Sequence, residues 1–330
     1  MLIVTGGAGF IGSNLVAALN ARGMDDILLV DNLKNADKLP NLVDLEISDY
    51  QHKDYFMQAL SDWIDPRQVK AVFHLGACSD TMERNGDYMM ENNYAFSRDL
   101  LDWCLEHEIP CIYASSAAVY GASQVFREQR EHEHPLNIYG YSKFLFDQYV
   151  RRVNPARSQI VGLRYFNVYG PREGHKGRMA SVAWHHYQQL SERGYVELFK
   201  GSHGYADGEQ QRDFIFVGDA VAAKLHFLDN PHISGIFNLG TGRAQSFNQL
   251  ALAGVNAWRE HGGKAGLKLN EAVEDGLIRY KDFPEGLQAR YQAFTQADMD
   301  RLRKSGFTRT MYDVEAGVGE YFSWLKNHAE

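Results

Sequence analysis

An α/β fold, built on a doubly wound parallel sheet, is predicted by three observations. The chain opens on an apolar run, a glycine-rich turn and an amphipathic stretch; short apolar runs then alternate with longer amphipathic ones; and this alternation persists to about residue 170. Strand–helix alternation is the pattern of parallel pairing, since a helix must carry the chain back before the next strand can start. Residues 1–170 are therefore read as the main domain. Residues 171–330 are read mainly as a smaller C-terminal lobe, with GIFNLGT (235–241) returning as a later strand to the main sheet.

Each element follows from its pattern. LIVTGG, ILLVD, AVFHLGA, CIYASS and IVGLRYFNVYG are apolar on both faces, as buried parallel strands are. NLVAALNARG, YAFSRDLLDWCLEH and YSKFLFDQYVRRV carry helical spacing between them. The second half has longer connections, such as GSHGYADGEQQ (201–211) and HGGKAGLKLNEAVEDG (261–276), which are read as loops.

The bulk numbers narrow the function. A chain of 330 residues suits two domains or one large α/β unit. The formal net charge of -8 argues against a nucleic-acid binder, which needs a basic face. Any phosphate-bearing ligand must then be held by local basic groups and helix ends. Cys78, Cys104 and Cys111 form no C-x-x-C pair, so neither a disulfide framework nor a zinc site is expected, and a reducing cytoplasm fits. No metal constellation is read from His132, His134, His185 or His186. MLIVTGGAGF lacks a basic leader region, and no apolar run has spanning length, so neither secretion nor membrane insertion is expected.

TGGAGFIG places Gly6, Gly9 and Gly12 between a strand and a helix, about 20 residues ahead of Asp31. Glycines there allow a tight turn and close backbone approach, and the helix start offers free N–H groups to a pyrophosphate. The context is that of a Rossmann-type dinucleotide site. Asp31 points to a ribose 2′-hydroxyl and hence NAD. Asn32, Lys34, Lys38 and Lys53 point the other way, to a 2′-phosphate and NADP. Residue chemistry leaves both open.

Tyr139 and Lys143 stand four apart at the start of a helix and share a face. The ammonium is expected to lower the tyrosine from its usual value of ~10, so that the phenolate takes a hydroxyl proton. Upstream, CIYASS ends a strand on Ser115 and Ser116, either of which can hydrogen-bond the reacting oxygen.

The order TGGAGFIG, SSAAVYG, YGYSK, RYFNVYGPR, QRDFIFVGD resembles the extended short-chain dehydrogenase/reductases that act on nucleotide sugars, over nearly the whole chain. The resemblance implies Ser116, Tyr139 and Lys143 as catalytic residues. Dehydratases of that family need an acid after the serine, and decarboxylating relatives carry a glutamate in that segment. Here Ala117 and Ala118 follow Ser116, which leaves oxidation and re-reduction, that is, epimerisation.

NVYGPREGHKG, HLGACS, MMENNY and RYQAFTQAD further resemble the ADP-L-glycero-D-manno-heptose 6-epimerase family. That resemblance implies NADP as a cofactor that stays bound, a homo-oligomer (a pentamer in the family), and a place in lipopolysaccharide core synthesis. It implies cofactor contacts at Gly6, Gly9, Phe10, Ile11, Gly12, Asp31, Asn32, Lys38, Lys53, Leu75, Gly76, Ala77, Cys78, Ser79, Asn92, Lys143, Val168 and Lys176. It implies substrate contacts at Asn167, Arg178, His185, Phe199, Lys200, Gly201, Ser202, Arg212 and Tyr291. The chain departs from the family at Arg178, where a serine is usual.

For Lys176, residue chemistry allows a solvated loop lysine, a phosphate contact or an acid/base group. The resemblance implies the last, as a second proton handler beside Tyr139. C6 of a heptose is exocyclic, so rotation about C5–C6 turns the oxygen toward a different partner. A lysine held neutral near neutral pH costs roughly 4–5 kcal/mol at about 1.36 per unit. Like-charge repulsion from Arg172, His175 and Arg178 is expected to supply part of it. As a proton donor it carries no such cost.

Overall fold

The structure is a computed structural model, and it describes residues 1–153, 157–285 and 291–328. The first half runs β1 (Leu2–Thr5), α1 (Phe10–Asn20), β2 (Ile27–Asp31), β3 (Asp49–His52), α2 (Lys53–Asp62) and β4 (Ala71–His74). It continues with α3 (Gly86–Met89), a π-helical turn Met90–Ala95, α4 (Phe96–Glu106), β5 (Cys111–Ser116), α5 (Ile138–Val153), β6 (Ile160–Tyr165) and β7 (Asn167–Tyr169). The second half has α6 (Val182–Arg193), β8 (Val196–Phe199), β9 (Gln211–Arg212), β10 (Phe214–Phe216), α7 (Val217–Asp229) and β11 (Gly235–Leu239). It ends with β12 (Gln245–Ser246), α8 (Phe247–His261), α9 (Leu269–Glu274), β13 (Ile278–Lys281), α10 (Asp300–Lys304) and α11 (Val314–Asn327).

Two compact units share the chain. The first comprises Met1–Tyr165, Val221–Leu239 and Asp300–Phe307. Its seven-stranded sheet has the order β11-β6-β5-β4-β1-β2-β3, every pair parallel. This is the doubly wound α/β fold that the alternation predicts. The order reverses between β1 and β4, and at such a switch point a crevice opens beyond the strand ends, where ligands bind. β1, β2 and β4 are buried along their whole length, and their apolar runs pack Ile3, Leu28, Val30 and Val72 against Phe56, Leu100 and Leu101.

The second unit comprises Phe166–Ala220, Gly240–Met299 and Thr308–Glu330. It holds three two-stranded ladders: β7 with β10, β9 with β12, and β8 with β13. Its core takes Val314, Val318, Tyr321 and Phe322 from α11 and Leu250, Ala251 and Val255 from α8.

Two readings need correction, and one strand–helix pair escaped the sequence analysis. IVGLRYFNVYG is two strands, because β6 pairs with β5 and β11 whereas β7 pairs only with β10 in the second unit. The connection 261–276 contains helix α9, whose start is fixed by Lys268 N–H donating to the Glu271 carboxylate at 2.7 Å. The segment between ILLVD and AVFHLGA carries β3 and α2, which its polar sequence DYQH conceals. Among the described residues, no helix is long and apolar enough to cross a membrane.

Candidate active site

In the first unit the glycine turn packs backbone on backbone. Gly6 has φ +69°, and a Cβ there would meet the Gly76 nitrogen at 2.7 Å. A Cβ on Gly12 would collide with the Gly6 carbonyl oxygen. Gly9 is the N-cap of α1; no side chain caps the helix, and its first turn holds no acidic residue. Phe10 is buried and Ile11 half-buried within that turn. A helix start left uncapped and free of negative charge beside a side-chain-free turn fits a pyrophosphate.

Asp31, buried at the end of β2, is already engaged. Ala8 N–H donates to Oδ2 at 2.9 Å, Asn32 N–H to Oδ1 at 2.7 Å, and the Lys38 ammonium to Oδ1 at 2.8 Å. The carboxylate thus ties the glycine turn to Lys38. The Lys53 ammonium donates to Asn92 Oδ1 at 2.9 Å, so these two predicted residues meet. Lys34 is exposed.

Leu75, Gly76, Ala77 and Cys78 follow β4 and are half-buried, while Ser79 is exposed. Thr5 anchors this loop: its carbonyl accepts from Leu75 N–H and its hydroxyl from Gly76 N–H. Asn93 braces the same loop, accepting from Cys78 N–H at 2.8 Å and donating to the Cys78 carbonyl at 2.9 Å. Asn93 also donates to Ser142 Oγ on α5, next to Lys143. Asn92 is among the predicted cofactor contacts, and Asn93 is not. Both lie in a π-helical turn, a distortion that is frequent at functional sites.

The predicted proton-handling groups sit at the C-terminal end of β5 and the start of α5. Ser116 lies beside Tyr139 and favours the phenolate, yet burial outweighs this and holds the hydroxyl above its usual value. Lys143 donates to the Ala114 carbonyl at 2.9 Å and is pushed down to about 8, chiefly by burial. The expected lowering of Tyr139 by Lys143 is therefore corrected: the ammonium contributes nothing resolvable to the tyrosine. Ser115 and Ser116 also separate. Ser115 donates to the buried Asp147 at 3.0 Å and belongs to a network with Tyr113 and Arg164.

In the second unit Asn167 is exposed on β7, and its N–H donates to the Asp213 carbonyl; Val168 pairs with Ile215. EGHKGRM forms a 3-10 stretch, Gly174–Met179, broken at Gly177 with φ +51°. Lys176 is half-buried, and Arg178 is exposed. Burial pushes the Lys176 ammonium below its usual value, while the Glu173 carboxylate opposes this. Desolvation, rather than the predicted repulsion among cations, is the cause. Glu173 itself was not singled out in the sequence.

A second cluster gathers Arg212, Phe199 and Tyr291. The buried Arg212 guanidinium lies 5.0 Å from the Tyr291 ring and 5.7 Å from that of Phe247. Phe199 stacks on Phe283 at 4.4 Å and meets Tyr291 edge-on at 6.2 Å. Phe247 and Phe283 complete this aromatic wall, and no spacing pattern marks them in the sequence. Ser202 accepts from Gln210, Gly201 N–H donates to Asp207, and Lys200 pairs with Asp282 at 3.0 Å. His185 is half-buried against Trp184. Arg290, part of the RYQAFTQAD resemblance, lies outside the described residues. Among the described residues, no group of three or more His, Cys, Asp or Glu is placed to hold a metal ion.

A sequence model of the NAD dependent epimerase/dehydratase family matches residues 2–240. The chain is 29% identical to an ADP-L-glycero-D-manno-heptose-6-epimerase of Helicobacter pylori, with TM-score 0.79, over 100% of this chain and 96% of that one. It is 25% identical to a UDP-glucose 4-epimerase of Thermotoga maritima with UDP-glucose, with TM-score 0.76, over 100% and 99% of the two chains. A UDP-N-acetylglucosamine 4-epimerase of Methanobrevibacter ruminantium shares the fold, at 24% identity and TM-score 0.77 over 99% and 98%.

Proposed function

The chain belongs to the NAD-dependent epimerase/dehydratase family, and from that premise we propose that it interconverts ADP-D-glycero- and ADP-L-glycero-D-manno-heptose at C6, with NADP as its resident cofactor. When bound, the dinucleotide supplies hydride transfer at the sugar carbon. The chain's own residues handle the proton and the positioning.

Tyr139 exchanges the proton of the C6 hydroxyl of one epimer, and Ser116 orients that oxygen. Because C6 is exocyclic, rotation about C5–C6 brings the opposite face forward and turns the oxygen away from Tyr139. Lys176 then exchanges the proton for the other epimer. Arg212 takes the substrate pyrophosphate as a delocalised cation backed by the Tyr291 and Phe247 rings. Elimination of water is disfavoured, because Ala117–Val119 follows Ser116 as an apolar 3-10 turn with no acid.

The observation that carries this reading is Lys176 itself. It is half-buried, in a glycine-bounded loop, with its ammonium pushed down by burial. A lysine kept only for solubility does not need that environment. The whole-length likeness to the Helicobacter pylori heptose epimerase supports the same substrate. NADP is favoured because Asp31 already accepts three donors, Lys38 among them, so a ribose 2′-hydroxyl must compete for the carboxylate. Lys38 offers a 2′-phosphate a cation at the same place.

The likeness to a UDP-glucose 4-epimerase favours a second reading, hexose 4-epimerisation. Incubating the protein separately with ADP-heptose and UDP-glucose separates the two. Turnover of UDP-glucose alone overturns the heptose reading.

A further inference from the structure

The loop that carries Lys176 is closed by a buried carboxylate with no part in the chemistry described above. Glu173 is 0% exposed. Its carboxylate accepts from Gly170 N–H at 3.2 Å, Ser181 N–H at 2.6 Å and the Ser181 hydroxyl at 2.7 Å. Ser181 is the N-cap of α6, where its Oγ accepts from Trp184 N–H at 3.2 Å. One side chain therefore joins the beginning of the loop to its end, and its end to a twelve-residue helix.

The main chain of Glu173 acts as well. Its carbonyl accepts from Lys176 N–H at 2.9 Å and so starts the 3-10 turn that presents the lysine. The backbone around it is in uncommon territory: Gly170 has φ +142°, Arg172 +72° and Gly177 +51°. The non-glycine Arg172 in that region persists only where surrounding contacts over-determine the loop. The three hydrogen bonds to Glu173 supply those contacts.

A buried carboxylate needs compensation for its lost hydration. Burial raises Glu173 above the usual carboxylate value, while Lys176 and the Ser181 and Gly170 donors hold it down. From α11, Tyr321 faces the same carboxylate, whose charge adds to burial in raising that phenol. Among the groups that hold it down, the Lys176 ammonium acts most strongly.

We propose that Glu173 is the positioning residue for Lys176, fixing where the loop presents the amine and supplying the counter-charge beside it. The inference rests on the proposed function only in giving Lys176 a reason to be positioned. The geometry stands without it. The carboxylate favours the ammonium form of Lys176, against the burial that disfavours it.

The test reads the lysine rather than turnover. Nζ-labelled lysine NMR on the full chain follows the Lys176 amine, assigned by Lys176→Met. Glu173→Gln is expected to lower the pH at which Lys176 titrates by about one unit, a tenfold change in proton affinity. Glu173→Asp is expected to recover part of that shift. In the epimerisation assay Glu173→Gln loses kcat at least about tenfold, with KM changed much less. An unchanged Lys176 titration in Glu173→Gln overturns the proposal. If Glu173→Gln fails to fold, Ser181→Ala carries the test: it removes a hydroxyl that holds the carboxylate in place, and a Lys176 titration identical to the parent's overturns the proposal equally. A shifted titration together with a fully active Lys176→Met leaves Glu173 as the lysine's counter-charge and removes the two-base mechanism instead.

Discussion

Lys143 directs its ammonium at the Ala114 carbonyl, 2.9 Å away, and leaves the hydroxyl of Tyr139, four residues earlier, without resolvable electrostatic help. Both groups are desolvated, and desolvation moves them in opposite directions: the phenol up, the ammonium down. In the protein without dinucleotide, NMR of ring-labelled tyrosine should find Tyr139 titrating above 10, its ordinary value, and lysine NMR should find Lys143 near about 8. A Tyr139 that titrates below its ordinary value in that state contradicts the description.

Tyr139→Phe and Lys176→Met each remove one of the proposed proton handlers. Each should lower epimerisation by about 10²–10⁴-fold, the usual range for general acid–base groups. Both side chains are only half-buried, so melting temperatures should stay within a few degrees of the parent. Near-normal turnover in Lys176→Met reduces that residue to a binding contact.

Gly12→Ala drives a methyl group into the Gly6 carbonyl. The turn must open, and titration calorimetry should show NADP affinity falling at least about 100-fold, while Lys38→Ala should weaken NADP selectively and leave NAD little changed. Equal losses for the two dinucleotides in Lys38→Ala contradict the proposed 2′-phosphate contact.

The Asp147 carboxylate under the sheet accepts from Tyr113, Ser115 and Arg164, and the fully buried Arg164 also pairs with Glu133. Asp147→Ala strands the guanidinium and should cost about 3–5 kcal/mol in urea unfolding. Ser115→Ala removes one neutral donor and should cost about 1 kcal/mol. A reversed order contradicts the assignment of Ser115 to this network.

His74 and His186 are buried and held neutral, each pushed down to about 3, first of all by burial. The unfolded chain binds their protons near 6.5, the folded chain only near 3, so the unfolded state gains protons first on acidification. Their contribution is full above about 6.5 and is lost as pH falls toward 3, at up to about 1.4 kcal/mol per pH unit for each. Among the described residues neither ring nitrogen of His186 has a hydrogen-bond partner, whereas His74 bonds Thr5 and Ser97. His186→Leu should therefore stabilise the protein and flatten the acid limb of the stability curve. An unchanged limb contradicts this.

The sheet was legible because its strands are buried on both faces. ILLVD and CIYASS coincide with β2 and β5 residue for residue, since continuous apolar runs between glycine and polar turns leave little choice. DYQH was not legible: β3 is an edge strand, half-exposed, with no apolar face to betray it. IVGLRYFNVYG read as one strand because periodicity is blind to a change of partner.

At the site, spacing brought Tyr139 and Lys143 to one helix and the glycines to one turn, but it had no means of weighing burial. The sign of the shift on Tyr139 and the cause of that on Lys176 both depend on how much water the fold removes. Glu173, Asn93 and Phe247 act through partners removed from them along the chain, at Ser181, Cys78 and Arg212. Only the folded chain brings those pairs together.

The central claim is inversion at an exocyclic carbon, and proton NMR of the sugar C6 position tests it most directly. Starting from either ADP-heptose epimer, with no reductant or oxidant added, the account predicts the same final mixture of the two. A C6 signal that stays unchanged from both sides, while UDP-glucose and UDP-galactose interconvert, contradicts it.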